Sequence, residues 1–151
     1  MPILLGSASP FDESIEKVTH ETNTSENWGL ILDICDTVKA GGAKEAKDCL
    51  LSLKKRLNHR DPHVVLLALS VLDSCVSNCG PTFQQEVASR EFLREIKSKA
   101  TGSNRPVALK TKKMLQRWYD EEVKDKAYMN PVSALYMELK EDGAFKDTQE
   151  P

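Results

Sequence analysis

The chain has 151 residues, 40% hydrophobic and 29% charged, a composition that excludes both a disordered chain and a membrane-spanning one. Its 21 Lys+Arg against 23 Asp+Glu leave a formal net charge of -2, which gives no general attraction to nucleic acid. The longest apolar runs fall well short of the roughly 20 residues that cross a bilayer. Met1–Gly6 lacks the basic start and long apolar middle of a secretory signal, and Pro2 excludes N-myristoylation. The four cysteines are Cys35, Cys49, Cys75 and Cys79; three fall on apolar faces of expected helices, which fits a reducing, cytosolic setting.

In chain order, Ser9-Pro10-Phe11-Asp12 reads as a helix start. Ser9 is the cap, Pro10 suits the first helical position and Asp12 completes a capping box. Phe11, Ile15 and Val18 then share a face. Thr24 or Ser25 is the expected cap of a second helix that runs to about Ala40 and stops at Gly41-Gly42. A third helix, about Ala43 to Asn58, carries the stripe Ala46, Cys49, Leu50, Leu53 and Leu57. Asp61-Pro62 opens a fourth that is apolar almost all round and belongs in the middle of a domain. Its one polar strip is Ser70, Asp73, Ser74 and Ser77, with Leu66 beside them. A short helical piece over Pro81–Ala88 follows, and then a helix capped by Ser89 that carries Phe92, Leu93 and Ile96. The next comes after the loop Thr101–Pro106 and places Val107, Thr111, Met114 and Trp118 on one face. Asn130-Pro131 starts the last helix, Gly143 ends it, and Phe145 onward is expected to fray. No segment shows strand alternation, so the spacing predicts an all-α chain of about eight helices, wound as a right-handed superhelix of the solenoid kind.

The second helix carries more apolar surface than a core-facing stripe needs. At about 100° per residue, Leu30, Ile34, Val38, Ile31, Cys35, Trp28 and Leu32 span roughly 200°, against the ordinary stripe of ~100° or a little more. One edge must be left over, and Trp28 and Leu32, four residues apart, form that edge beside Asp36. Tryptophan is enriched at binding hot spots, so an exposed pair here is a natural docking site for a small apolar patch. Trp118, among Val107, Met114 and Leu115, reads as core.

Catalytic readings find little support. Nucleotide-binding glycine loops, the His-Glu-x-x-His motif and the Gly-x-Ser-x-Gly elbow are all missing. A zinc site from His59, His63, Cys75 and Cys79 would have to span the fourth helix, more than about 20 Å at its rise of 1.5 Å per residue. Lys110, Lys113 and Arg117 share a face of the seventh helix, a possible contact for an acidic phospholipid, although Arg117–Glu121 at i, i+4 neutralises part of it.

Several stretches resemble a VHS domain, most closely that of STAM-type endosomal sorting adaptors. They are Pro10-Phe11-Asp12 with Ile15-Glu16-Lys17; Trp28 to Asp36; Lys47-Asp48-Cys49-Leu50; Asn58 to Val64; Cys75 to Gly80; and Glu86 to Phe92. The resemblance covers residues 8–145 and leaves 1–7 and 146–151 as flexible termini. It implies an eight-helix superhelix with no enzymatic activity and no cofactor. It also implies a cytoplasmic role on early endosome membranes, sorting ubiquitinated cargo into multivesicular bodies. Ubiquitin would be bound through the second and fourth helices by Trp28 and Leu32, with Gly29 and Asp33 alongside and Ser70, Asp73 and Ser77 opposite. Asp73 departs from the smaller, uncharged residue expected there. The partner Hrs would be reached through parts of a longer adaptor. The pattern of the GGA adaptors, which bind acidic-dileucine tails, is not seen.

Overall fold

A computed structural model describes residues 8–148; of the flexible termini expected at 1–7 and 146–151, all but residues 146–148 lie outside them. Among the described residues there are eight α-helices, two 3-10 turns and no strand. By contact density the chain divides into two compact units, residues up to 86 and residues from 87.

The first unit contains α1 (Asp12–Val18), α2 (Trp28–Ala40), α3 (Ala43–Leu57), α4 (Pro62–Asn78) and most of α5 (Pro81–Val87). The α4 helix packs against both α2 and α3 and buries Val64, Val65, Leu67, Ala68, Leu69, Val71, Leu72, Cys75 and Val76. Its near-continuous apolar surface is what a central position requires. Asp61 caps it by accepting the His63 N–H at 2.9 Å, and Pro62 occupies the first turn, where no amide donor is needed.

Local chemistry sets the other boundaries. Ser9 Oγ accepts the Phe11 N–H at 3.1 Å, and Asp12 returns the bond by accepting the Ser9 N–H at 3.0 Å. The expected reciprocal cap thus forms, although regular helix begins only at Asp12. The cap of α2 is Asn27, not Thr24 or Ser25, and its side chain accepts the Leu30 N–H at 3.2 Å. Asn competes with Ser and Thr on equal terms at this position, and the residues before it are taken up in turns. At Gly41-Gly42 the helix ends without a left-handed residue. Instead Glu45 folds back over Gly41 and accepts the Gly42 N–H at 2.8 Å, where a Cβ on Gly41 would collide with the Glu45 side chain at 2.3 Å.

The second unit contains α6 (Arg90–Ala100), α7 (Arg105–Glu121) and α8 (Asn130–Glu141), with 3-10 turns at Ala127–Met129 and Lys146–Thr148. Ser89 and Asn104 cap α6 and α7. Trp118 is fully enclosed, as its neighbours implied. The segment after Gly143 departs from the fraying expected of it as far as it is described. Phe145 is buried and lies 4.8 Å from the Tyr136 ring, which itself stacks on Tyr119 at 4.1 Å. Asp147 then binds Lys112, a buried lysine on α7, at 2.8 and 2.9 Å. A buried ammonium needs a counter-charge, and this one draws it from beyond the last helix.

One ionic contact ties α1 to α3. The Asp12 carboxylate accepts Ser52 Oγ at 2.7 Å and Lys55 Nζ at 2.9 Å. Burial pushes its pKa up, but the hydrogen bonds from Lys55, Ser52 and the Ser9 amide together outweigh burial and hold it below the usual carboxylate value. The stabilisation is therefore complete above the unfolded-state value of about 3.9 and is lost as pH falls through the folded-state value. Asp12→Asn should lower stability by about 1–2 kcal/mol near neutral pH. In urea melts its deficit relative to the wild type should shrink as pH drops into the acid range.

Candidate functional site

The α2 helix lies against α1, α3 and α4, and those neighbours decide which part of its apolar arc is covered. Ile31, Ile34, Cys35 and Val38 are buried. Trp28 remains 54% exposed and Leu32 47% exposed, the first and fifth residues of the helix. The edge left over on the helical wheel is the edge that stands in solvent. Only one other large hydrophobic side chain among the described residues is comparably exposed, Met137 on α8.

The position of Trp28 is fixed from behind. Asn27 caps the helix directly before it, and the Ile31 N–H bonds the Asn27 carbonyl at 3.0 Å. One residue earlier, the Glu26 carboxylate accepts the Ser70 hydroxyl of α4 at 2.7 Å. His63, at the start of α4, holds the carbonyl of Asn23 through Nε2. The loop into α2 is thus fastened twice to α4, and the indole is carried by an anchored helix start. Composition gave no reason to single out Glu26, whose role depends on the α2–α4 crossing.

The expected site residues separate into groups. Ser70 is buried, 8% exposed, and its hydroxyl is engaged by Glu26, so it does not offer the open surface that its short side chain suggested. Asp73 is half-buried and Ser77 is exposed on the same strip. Ser74 lies 3.6 Å from Cys35 Sγ, which places this strip directly against α2. Gly29 is exposed and open around its Cα, where an added Cβ would come no closer than 3.7 Å to Asn27 Oδ1. Asp33 is separated from Trp28 by about 140° of helix rotation. It lines a different feature, a cavity of about 390 Å³ walled by α1, α2 and α3 with Phe11, Leu30 and Ile34.

In the second unit, Lys113 is exposed on α7, whereas Lys110 and Arg117 are half-buried. Arg117 reaches Glu121 at 3.6 Å, the i, i+4 pairing expected from spacing. Lys112, between Lys110 and Lys113 in sequence, turns inward to Asp147. This face therefore carries less uncompensated positive charge than its sequence suggests.

The two histidines do not join Cys75 and Cys79, as the length of the fourth helix implied. His59 Nδ1 accepts the Asp61 N–H and His63 is engaged by Asn23. Cys75 and Cys79 meet Cys35 instead, a partner that sequence spacing alone did not supply.

No described helix is long and apolar enough to cross a membrane. Because Trp28 is exposed and Trp118 is enclosed, iodide should quench the first tryptophan and not the second. Trp28→Phe should remove the quenchable component and leave the protected emission in place.

Comparison with known proteins gives the family and the fold. The chain is 39% identical over 143 residues to a vacuolar protein sorting-associated protein 27 of Mycosarcoma maydis, covering 91% of this chain and 16% of that protein. It is 32% identical over 145 residues to the class E vacuolar protein-sorting machinery protein HSE1 of the same organism, covering 95% and 24%. The chain thus spans a quarter or less of the length of these relatives. Among solved structures, the VHS and FYVE tandem domains of Hrs, a protein involved in membrane trafficking and signal transduction, superpose with a TM-score of 0.76. That match has 28% identity and covers 89% of this chain and 62% of that one. A hypothetical ENTH-VHS domain from Arabidopsis thaliana shares the fold, with a TM-score of 0.58, 16% identity and coverage of 100% and 96%. The sequence profile of the VHS domain matches residues 6–143, so the chain belongs to the VHS domain family.

Proposed function

We propose that this chain is a non-catalytic ubiquitin-binding module of an endosomal sorting adaptor. It would act from the cytoplasmic face of early endosome membranes on ubiquitinated cargo bound for multivesicular bodies. The observation that carries this reading is the solvent-exposed Trp28–Leu32 pair on an anchored helix. A large aromatic anchor and an aliphatic neighbour on one rigid face suit the apolar patch of a small globular partner. Trp28 inserts beside ubiquitin's isoleucine-centred patch and Leu32 extends the contact. Asp73 and Ser77 supply the polar rim, with Asp73 placed to meet a basic rim residue. Ser70 acts indirectly by holding Glu26, and Gly29 leaves room beside the indole. Asp33 faces the α1 side and is no longer assigned to the contact. The sorting role is supported by the similarity to vacuolar-sorting proteins, and assembly with Hrs is assigned to segments of a longer parent protein.

A face of this size buries little area, under about 1,200 Å² in total, which suits weak and reversible binding. Titration with ubiquitin should shift amide resonances of α2 and of the Asp73–Ser77 strip. Trp28→Ala should abolish the shifts with the helical spectrum unchanged, and Leu32→Ala should weaken binding by roughly ten-fold. Shifts that persist in Trp28→Ala would remove the reading.

The alternative, an acidic-phospholipid contact through Lys110, Lys113 and Arg117, is disfavoured by the Arg117–Glu121 pair. Flotation on phosphoinositide vesicles separates the two: charge reversal at these three positions should leave ubiquitin binding intact, and the wild-type chain should remain with the unbound fraction.

A further inference from the structure

Three sulfur atoms converge between α2 and α4, one from α2 and two from α4. The Sγ atoms of Cys35, Cys75 and Cys79 all lie within 4.8 Å of one another, and all three residues are buried. Cys35 Sγ is 3.7 Å from Cys75 Sγ and 3.6 Å from the hydroxyl of Ser74. The Cys79 thiol donates to the Cys35 carbonyl at 3.5 Å. We propose that Cys35, Cys75 and Cys79, with the Ser74 hydroxyl, form a binding site for a single thiophilic d10 cation of the zinc class.

The distances are those of a coordination polyhedron. A tetrahedral ion with bonds of about 2.3 Å to sulfur and about 2.1 Å to oxygen has sulfur–sulfur edges of about 3.8 Å and sulfur–oxygen edges of about 3.6 Å. The Cys35–Cys75 and Cys35–Ser74 separations already have these lengths. The remaining sulfur is on Cys79, the residue that caps α4, and it lies within 4.8 Å of the other two. Cys75 and Cys79 are one helical turn apart, so a single helix presents both to the same point.

The electrostatics favour a cation there. The last carbonyls of a helix carry partial negative charge, and this cluster sits at the C-terminal turn of α4. Each coordinating thiol releases its proton to solvent as its bond to the metal forms. Thiolate donors select zinc-class ions over the hard cations Mg2+ and Ca2+. The alternative is three thiols packed as ordinary small apolar side chains, which take up no metal and release no protons.

The test uses the full chain, reduced with a phosphine and stripped of metal, titrated with Co2+ and then Zn2+. One equivalent of Co2+ should produce thiolate-to-cobalt charge-transfer absorption, and Zn2+ should displace it. Native mass spectrometry should show a single-ion adduct that has lost protons. Cys79→Ser and Cys35→Ser should each weaken Zn2+ binding at least about ten-fold, with circular dichroism reporting the fold. Trp28→Ala should bind Zn2+ like the wild type, so a failure of the ubiquitin reading leaves this one intact. No charge-transfer band in the wild-type chain would overturn the proposal, as would Zn2+ binding that survives both cysteine substitutions. The wild-type proton count needs no variant and so stands whether or not either variant folds.

Discussion

A helix can bury only as much of its circumference as its neighbours cover. The α2 helix has apolar side chains around more than half of its circumference, and α1, α3 and α4 close over part of that arc. Ile31, Ile34, Cys35 and Val38 fill the covered sector. Trp28 and Leu32 continue the arc past the line where α4 stops protecting it. Their exposure follows from a mismatch between arc and cover, and it costs hydrophobic free energy of the order of 1.5–3 kcal/mol for each large side chain left unburied. Under the proposed reading, this exposed pair is the surface that a partner covers part of the time.

The α4 helix sets both sides of this arrangement. Its apolar faces account for much of the core of the first unit, and its one polar strip runs along α2. The same strip fastens the entry to α2 through Ser70 and Glu26, while His63 one end away holds Asn23. These bonds order the loop before Trp28, so little of that loop's conformational freedom remains to be lost when a partner arrives. Ser70, read in the sequence as part of an open polar strip, is thereby spent on ordering this loop, and Asp73 and Ser77 keep more exposed surface on the same strip.

Periodicity was enough to find the helices because apolar spacing and caps agree in this chain: Asp61-Pro62, Ser89 and Asn104 all do locally what their positions imply. The exposed edge of α2 was legible for the same reason, since an over-wide arc is a property of one segment. What sequence did not reveal depends on pairs far apart along the chain. The cap falls at Asn27, not at Thr24 or Ser25, next to Glu26, which α4 holds through Ser70. The described residues after Gly143 are held by Phe145 against Tyr136 and by Asp147 on Lys112, a lysine that lies between Lys110 and Lys113 in sequence but is turned inward by packing. Cys35 was read as core and Cys75 and Cys79 as packed thiols, yet their meeting across two helices is a tertiary fact that no local pattern contains. Asp33 lines the cavity beside α1 for a simpler reason: proximity in sequence to Trp28 and Leu32 does not place a residue on their face.

A face built around one indole and one leucine cannot hold a partner for long by itself. Affinity tracks the few well-packed anchors of an interface more than its extent, and this face offers two. Under the proposed reading, such a face operates as one contact among several in a longer parent protein. Linked weak contacts bind tightly to a partner that presents several copies of a ligand and release one that presents a single copy, because every contact after the first is intramolecular. Under the proposed reading, raising the affinity of this one face would erode that discrimination. Selection would then favour a Trp–Leu ledge that stays small and stays open, even though burying it would make the isolated domain more stable.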